Sequence, residues 1–500
     1  MATTQTPIPV ASTEPSDGSV RGRAIRLGLL GSILILAGGL GAGATLRHDP
    51  LLSNTVLGIW RYGHGKMLAT FTLYTGVALL VWAWIMLARA IKANVVDASG
   101  VVRAVVAWTA PLVLAPPLFT KDPYIYLAQG ALANAGFDPY TAGPSRLLGP
   151  MSENVAEVWL HTPSPYGPLF IILIKSVVAI TGTNILLGVV LIRLLMLSGL
   201  ALVCAALPGL CRHLGGKPAF ALWLVAANPL VLIHLVAGAH NDLLMIGLLC
   251  SGTLFVLNRQ HTLGFALVGA AFAVKATAAV ALPFLVWVWM AHRRDSSRIG
   301  SFAITAGAGA AIVVAVFGGF TLLAGVDLGW IGALDGNVIV DLWLSLPTVV
   351  GKLVSSLLGI FVDVHAFAVV QAVRLGGWAV LVGVVAWLWW KSREGGPTAI
   401  RNAAFALLAT VLLSSVTFAW YFSWPLVLGA AFAIPTKRVA LIGGLSVLLI
   451  LFTYPNGDTI QGNWGTIAFA VAASAFAGMK LLRALQNDTQ LPLSGTPAHG

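Results

Sequence analysis

Asp122 in "TKDPYIYLAQG" and Asp242 in "AGAHNDLLM" are acids in a chain that is 58% hydrophobic and only 9% charged. A soluble protein carries about 25% charged residues. Each acid stands before an apolar helical run, where it could cap a helix N-terminus. Each could also serve as a general base toward a hydroxyl. Lys275 in "FAVKATAAVALPF" interrupts another apolar run with no acid nearby in sequence. A lysine in hydrocarbon must face water, snorkel or pair, and an anionic phosphate is a suitable partner. "TPSPYGPLF", with Tyr166, sets three prolines and a glycine at the start of a further apolar segment and predicts a rigid edge. "TFAWYFSWP" offers Trp420, Tyr421 and Trp424, either as an interfacial aromatic belt or as faces that stack on sugar rings. Two acids, one lysine suited to phosphate and aromatic platforms describe transfer from a lipid-phosphate donor in the bilayer to a hydroxyl from the aqueous side. One carboxylate would take the hydroxyl proton, and the lysine would stabilise charge on the phosphate.

Apolar runs of about 20 residues recur along the 500-residue chain and position these groups. They predict an all-α polytopic membrane protein with about 13 membrane segments. Strand-period alternation does not recur, which argues against a membrane barrel. The net charge of +12 does not point to nucleic acid, because the basic residues sit in short loops between spans. Placing those loops in the cytoplasm puts both termini inside and Asp122, His240, Asp242, Lys275 and Trp420 toward the outer face. The loop 120–165 is then outer, with a short helix from Pro123 to Asn134 lying at the interface and Tyr124 and Tyr126 in an aromatic belt. With Arg212 and Lys217 cytoplasmic, 166–181 cannot be a full crossing and is expected to be short or re-entrant. Residues 262–291 read as a hairpin of two short segments around Lys275, 325–347 as a second outer loop bearing Asp327, Asp335 and Asp341, and 348–362 as an interfacial amphipathic helix. Residues 1–20 and 486–500 read as disordered cytoplasmic tails around one membrane domain, 21–485. Cys204, Cys211 and Cys250 lack metal-site spacing and read as core residues.

With those segments in place, the layout resembles the C-type (GT-C) glycosyltransferase fold. "TKDPYIYLAQG", "SPYGPLF", "GAHND", "VKAT" and "WYFSWP" together resemble the polyprenol-phosphate-mannose-dependent α-(1→6)-mannosyltransferases of mycobacteria and corynebacteria. The resemblance covers roughly residues 20–485, and K-D-P-Y-x-Y-x-x-Q-G is its most specific part. It implies a decaprenyl-phosphomannose donor and inverting transfer to a mannan or mannosylated phosphatidylinositol acceptor, for lipomannan and lipoarabinomannan, at the outer face of the plasma membrane. It implies Asp122 as general base, Asp242 as a second acid that orients the acceptor or supports Asp122, and Lys275 and Arg146 as phosphate contacts. Lys121, Tyr126, Gln129, Tyr166, His240, Asn241, Trp420 and Tyr421 complete the expected substrate-binding set. No cofactor is expected. Lys121 stands where many C-type enzymes have a second loop acid, and one carboxylate beside a lysine is a poor site for a divalent cation, so transfer is expected to need no metal, with a cation left open. Transfer of arabinose or glucose would use the same groups. A lipid-linked-sugar flippase or transporter is the alternative of a different class, with Lys175 and Arg193 as its main intramembrane charges.

Overall fold

The computed structural model describes residues 17–293, 297–333 and 342–486. Asp335, Asp341 and most of both expected tails lie outside the described residues. Helices α1 (Asp17–Ala42) and α2 (Gly63–Lys92) pair along their length, and α3 (Ala98–Leu112) packs on α1. The Asp97 carboxylate caps α3 by accepting from Gly100 N at 2.8 Å. A short α4 (Asp122–Asn134) and α5 (Pro168–Thr181) lead to α6 (Ile185–Leu214). Then come α7 (Pro218–Val225), a π-helical segment (Val231–Ala237) and α8 (Asp242–Leu257). Helix α9 (His261–Val274), a 3₁₀ turn (Ala276–Ala281) and α10 (Leu282–Ala291) follow. Next come α11 (Arg298–Ala324), α12 (Leu346–Leu358), α13 (Ala366–Lys391) and α14 (Gly396–Leu413). A 3₁₀ turn (Ala419–Phe422), α15 (Ser423–Gly429), α16 (Thr436–Leu451) and α17 (Trp464–Gln486) complete the chain.

The all-helical class is as the sequence implies, but the segments differ in kind. Among the described residues, seven helices are long and apolar enough to cross a membrane, or up to eight if the π-helical segment and α8, bent by 111°, count as one span. The other expected segments of the 13 are shorter helices or helix pairs. The 262–291 segment is the expected hairpin: Lys275 stands at its tip, and His261 Nε2 and His292 Nδ1 meet at 2.9 Å at its open end. Segment 166–181 is likewise short. Helix α5 has 14 residues, about 21 Å, and runs beside α4, with Tyr126 edge-on to Phe170 and Asn134 Nδ2 donating to Lys175 O.

Burial shows which helix faces are left apolar and uncovered. The inward face of α12 is Thr348, Gly351 and Ser355, while Leu353 and Leu357 are 58% and 52% exposed on its outer side. That reverses the pattern of a soluble amphipathic helix. Helix α13 buries a single seven-residue stripe, Arg374, Leu381 and Leu388. Trp84 and Trp223 stack at 4.4 Å, and each indole donates to the other's carbonyl, at 3.0 and 2.8 Å, docking α2 on α7. All three cysteines are free and none is exposed.

The helix that carries Asp242 is set by backbone contact. A Cβ on Gly199 of α6 would lie 2.2 Å from Leu243 O, and one on Gly247 of α8 would lie 2.4 Å from Gly199 O. Small residues let helices approach this closely where burial from water is not the driving force. Gly199→Val is therefore expected to destabilise the fold by about 1–3 kcal/mol through overpacking. Denaturation of the purified variant in detergent checks this; an unchanged midpoint would show that the crossing tolerates a side chain.

Candidate active site

Helix breaks inside a membrane protein are tolerated where protein or a wet cavity satisfies the freed backbone. Three breaks meet here: residues 238–241 before α8, Lys275 after α9, and residues 414–418 before the Ala419–Phe422 turn. The Asp242 carboxylate ties them together. It accepts from Lys275 Nζ at 2.8 and 2.9 Å and from Trp424 Nε1 at 2.6 Å. It is fully buried, and Lys275 is 13% exposed. The ammonium also lies 4.5 Å from the centre of the Tyr421 ring and 5.3 Å from that of Trp424, a cation–π arrangement. Lys275, which has no acid near it in sequence, therefore has one in space, 33 residues away. Asp242 does not act as a side-chain helix cap, because its oxygens are taken by Lys275 and Trp424.

Asp122 opens α4 without capping it, and its side chain is 19% exposed. Its Oδ2 faces His240 Nε2 at 3.4 Å. His240 Nδ1 lies 2.7 Å from the carbonyl oxygen of His234. A carbonyl only accepts, so Nδ1 carries a hydrogen. An ionised carboxylate also only accepts, so the second contact is attractive only with a proton between Nε2 and Oδ2. Burial pushes the Asp122 pKa up; the adjacent His240 imidazole, the Thr120 hydroxyl and the Lys275 charge outweigh it, and the carboxyl titrates below its ordinary value. Behind His240 the rings stack: Trp420 lies 3.7 Å from it, and Phe418 lies 4.6 Å from Trp420.

Asp122, Lys121 and Trp420 line a cleft of about 420 Å³ together with Thr120, Trp159, Phe418 and Asp458. The other expected residues stand elsewhere. His240 and Asn241 are fully buried, so neither reaches the cleft surface. Tyr124 and Tyr126 are buried as well, not held in an interfacial belt, and α4 is buried from Pro123 to Gly130. The Tyr124 hydroxyl donates to Ala44 O, and Tyr126 packs edge-on to Tyr166 at 5.3 Å. Gln129 accepts from Ser164 Oγ at 3.1 Å, and Gly167 N donates to Val274 O at 3.2 Å. The "SPYGP" edge is thus fastened to α4 and to the Lys275 break. Tyr421 stacks on Trp424 at 4.2 Å. Arg146 is exposed in the loop after α4 and is not among the cleft residues. Arg193 is buried and donates to the carbonyls of Ala237, at 2.7 Å, and Val113, at 2.9 Å, fixing the chain just before His240. Trp159 and Asp458 carry no motif and were not expected.

A family model described as "Alpha-(1->6)-mannopyranosyltransferase, N-terminal domain" matches residues 25–291, and one described as "MptB C-terminal domain" matches residues 347–483. The chain is 39% identical to alpha-(1->6)-mannopyranosyltransferase A of Mycobacterium tuberculosis, over 93% of this chain and 90% of that protein. It is 33% identical to the Corynebacterium glutamicum protein of the same name, over 87% and 94% of the two chains. It is 29% identical to alpha-(1->6)-mannopyranosyltransferase B of Corynebacterium glutamicum, over 91% and 80%. No solved structure matches the chain.

Removing one partner of a buried ion pair strands the other charge and costs about 3–5 kcal/mol. Lys275→Met is expected to destabilise on that scale, and adding Asp242→Asn is expected to recover most of the loss. Unfolding of the single and double variants in detergent measures the coupling. Additive losses would mean that the two groups do not depend on each other.

Proposed function

Because the chain belongs to the α-(1→6)-mannopyranosyltransferase family, we propose that it moves mannose from polyprenyl-phosphomannose to the 6-hydroxyl of a mannan or mannosylated phosphatidylinositol acceptor at the outer face of the plasma membrane. The observation that carries this reading is the position of Asp122. Its carboxylate borders an open cleft and rests against His240, and the Lys275 charge acts on it.

In this reading the acceptor occupies the cleft and the donor phosphate approaches Lys275. The acceptor oxygen attacks the anomeric carbon from the face opposite the phosphate. The C1–O bond to phosphate breaks, and polyprenyl phosphate leaves with the bonding electrons. The acceptor proton passes to Asp122, and a β-linked donor gives an α-linked product. Asp242 holds two of the three Lys275 N–H groups and leaves one for a phosphate oxygen. Charge growing on the leaving group meets an ammonium already fixed in place, which spares reorganisation at the moment of reaction. His240 is a positioning residue, because it is buried and reaches substrate only through Asp122.

A positioned base contributes about 10²–10⁴-fold in rate. Asp122→Asn is expected to lose at least about a hundredfold of mannose transfer to an α-(1→6)-mannoside while keeping its unfolding midpoint. Transfer by the unaltered chain is expected to persist in EDTA. Radiolabelled polyprenyl-phosphomannose and purified protein in nanodiscs provide the assay. Normal transfer by Asp122→Asn would remove Asp122 as the base, and loss of transfer in EDTA would require a metal.

A further inference from the structure

We infer that the 453–459 hairpin and Trp159 form the acceptor-sugar subsite, with Asp458 and Lys121 reading neighbouring hydroxyls of the mannoside; this rests on the transfer proposed above. The cleft volume falls within the range of small-ligand sites. The hairpin belongs to the C-terminal half of the chain and is locked onto the loop that carries the base. Phe119 N donates to Pro455 O at 2.8 Å. Gly457 has φ +94°, and a Cβ there would lie 3.0 Å from Thr120 Cα. Tyr454 N donates to Asp458 O at 2.7 Å, closing the turn.

Asp458 is thereby held at a fixed place with part of its carboxylate unspent. Its Oδ2 accepts from Asn456 Nδ2 at 2.7 Å. Its Oδ1 lies 3.9 Å from Lys121 Nζ, beyond hydrogen-bond distance, and the side chain is 63% exposed. A carboxylate oxygen and an ammonium this close can accept from one sugar hydroxyl and donate to its neighbour. Trp159, partly exposed, adds an aromatic wall, and Thr120 and Thr459 add hydroxyls.

Charge decides which substrate this cleft takes. Asp122 and Asp458 against Lys121 leave it net negative, which disfavours a phosphate and suits a neutral polyhydroxylated chain. The donor phosphate then belongs on the Lys275 side of Asp122, and the two substrates approach the base from different directions.

The experiment compares the unaltered full-length chain with Asp458→Asn, Trp159→Ala and the exchange Lys121→Asp/Asp458→Lys, in nanodiscs. Initial rates are taken with α-(1→6)-mannobioside and with polyprenyl-phosphomannose varied in turn. Losing a hydrogen bond to a charged group in Asp458→Asn is expected to raise the acceptor KM by about tenfold or more, and losing the aromatic wall in Trp159→Ala is expected to raise it as well, with the donor KM unchanged in both. An unchanged acceptor KM in both would overturn the assignment. So would recovery in the exchange variant, since that would make the Lys121–Asp458 pair purely structural. Saturation-transfer NMR of the mannobioside on donor-free protein reads the subsite without catalysis. A signal in the unaltered chain that disappears in Asp458→Asn supports it, and an equal signal in both overturns it. Mannobioside binding without any transfer by the unaltered chain would refute the proposed reaction while keeping the subsite.

Discussion

The Asp242 carboxylate is buried at the point where three interrupted helices meet, and the geometry of the site depends on it. A carboxylate without partners there would be prohibitive, and a lysine without partners nearly as costly. Lys275 and the Trp424 indole answer the charge, the first from the break after α9 and the second from the first turn of α15. One anion therefore fixes α8, the tip of the α9–α10 hairpin and the start of α15 relative to one another. The close crossing at Gly199 and Gly247 sets α8 on α6, and Arg193 on α6 holds the carbonyl of Ala237 at the edge of the bend.

What that anchoring delivers is the position of His240. With its Nδ1 on the His234 carbonyl and its ring against Trp420, the imidazole has one nitrogen left, and it faces Asp122. Asp122, the proposed base, comes from the start of α4, His240 from the bend before α8, and the wall of the cleft from the C-terminal half. Each half of the molecule is incomplete without the other. The mannosyl transfer proposed for Asp122 and Lys275 needs both groups fixed before substrates arrive, and the Asp242 junction and the His240 stack supply that rigidity.

Much of this was legible in the sequence because polar residues are conspicuous in an apolar chain. Asp122, His240, Asp242, Lys275 and Trp420 stand out on that ground, and the expectation that 166–181 is short agrees with the 14-residue α5. What stayed hidden was pairing. Lys275 and Asp242 are separated by a whole helical hairpin arm, so nothing local showed that each satisfies the other. Both acids begin helices, which made capping a fair expectation; only the side-chain directions reveal that neither carboxylate caps. Tyr124 and Tyr126 suggested an interfacial belt because a helix of tyrosine and alanine gives no hint of what covers it. Arg146 looked apt for phosphate by type and loop, but an exposed loop arginine cannot be placed from sequence. Asp458 and Trp159 lie in loops without a motif, and only the fold brings them beside Asp122.

The most direct test of the Asp122–His240 pairing is the pH dependence of kcat/KM for mannose transfer in the unaltered chain and in His240→Gln. The imidazole helps hold the Asp122 carboxyl below its ordinary value against the opposing effect of burial. With it removed, the desolvation is less opposed and the carboxyl must titrate at higher pH. The expected result is an acid limb displaced upward in His240→Gln, together with a lower plateau. An acid limb that stays in place in a folded His240→Gln would contradict the pairing and leave His240 with a packing role alone.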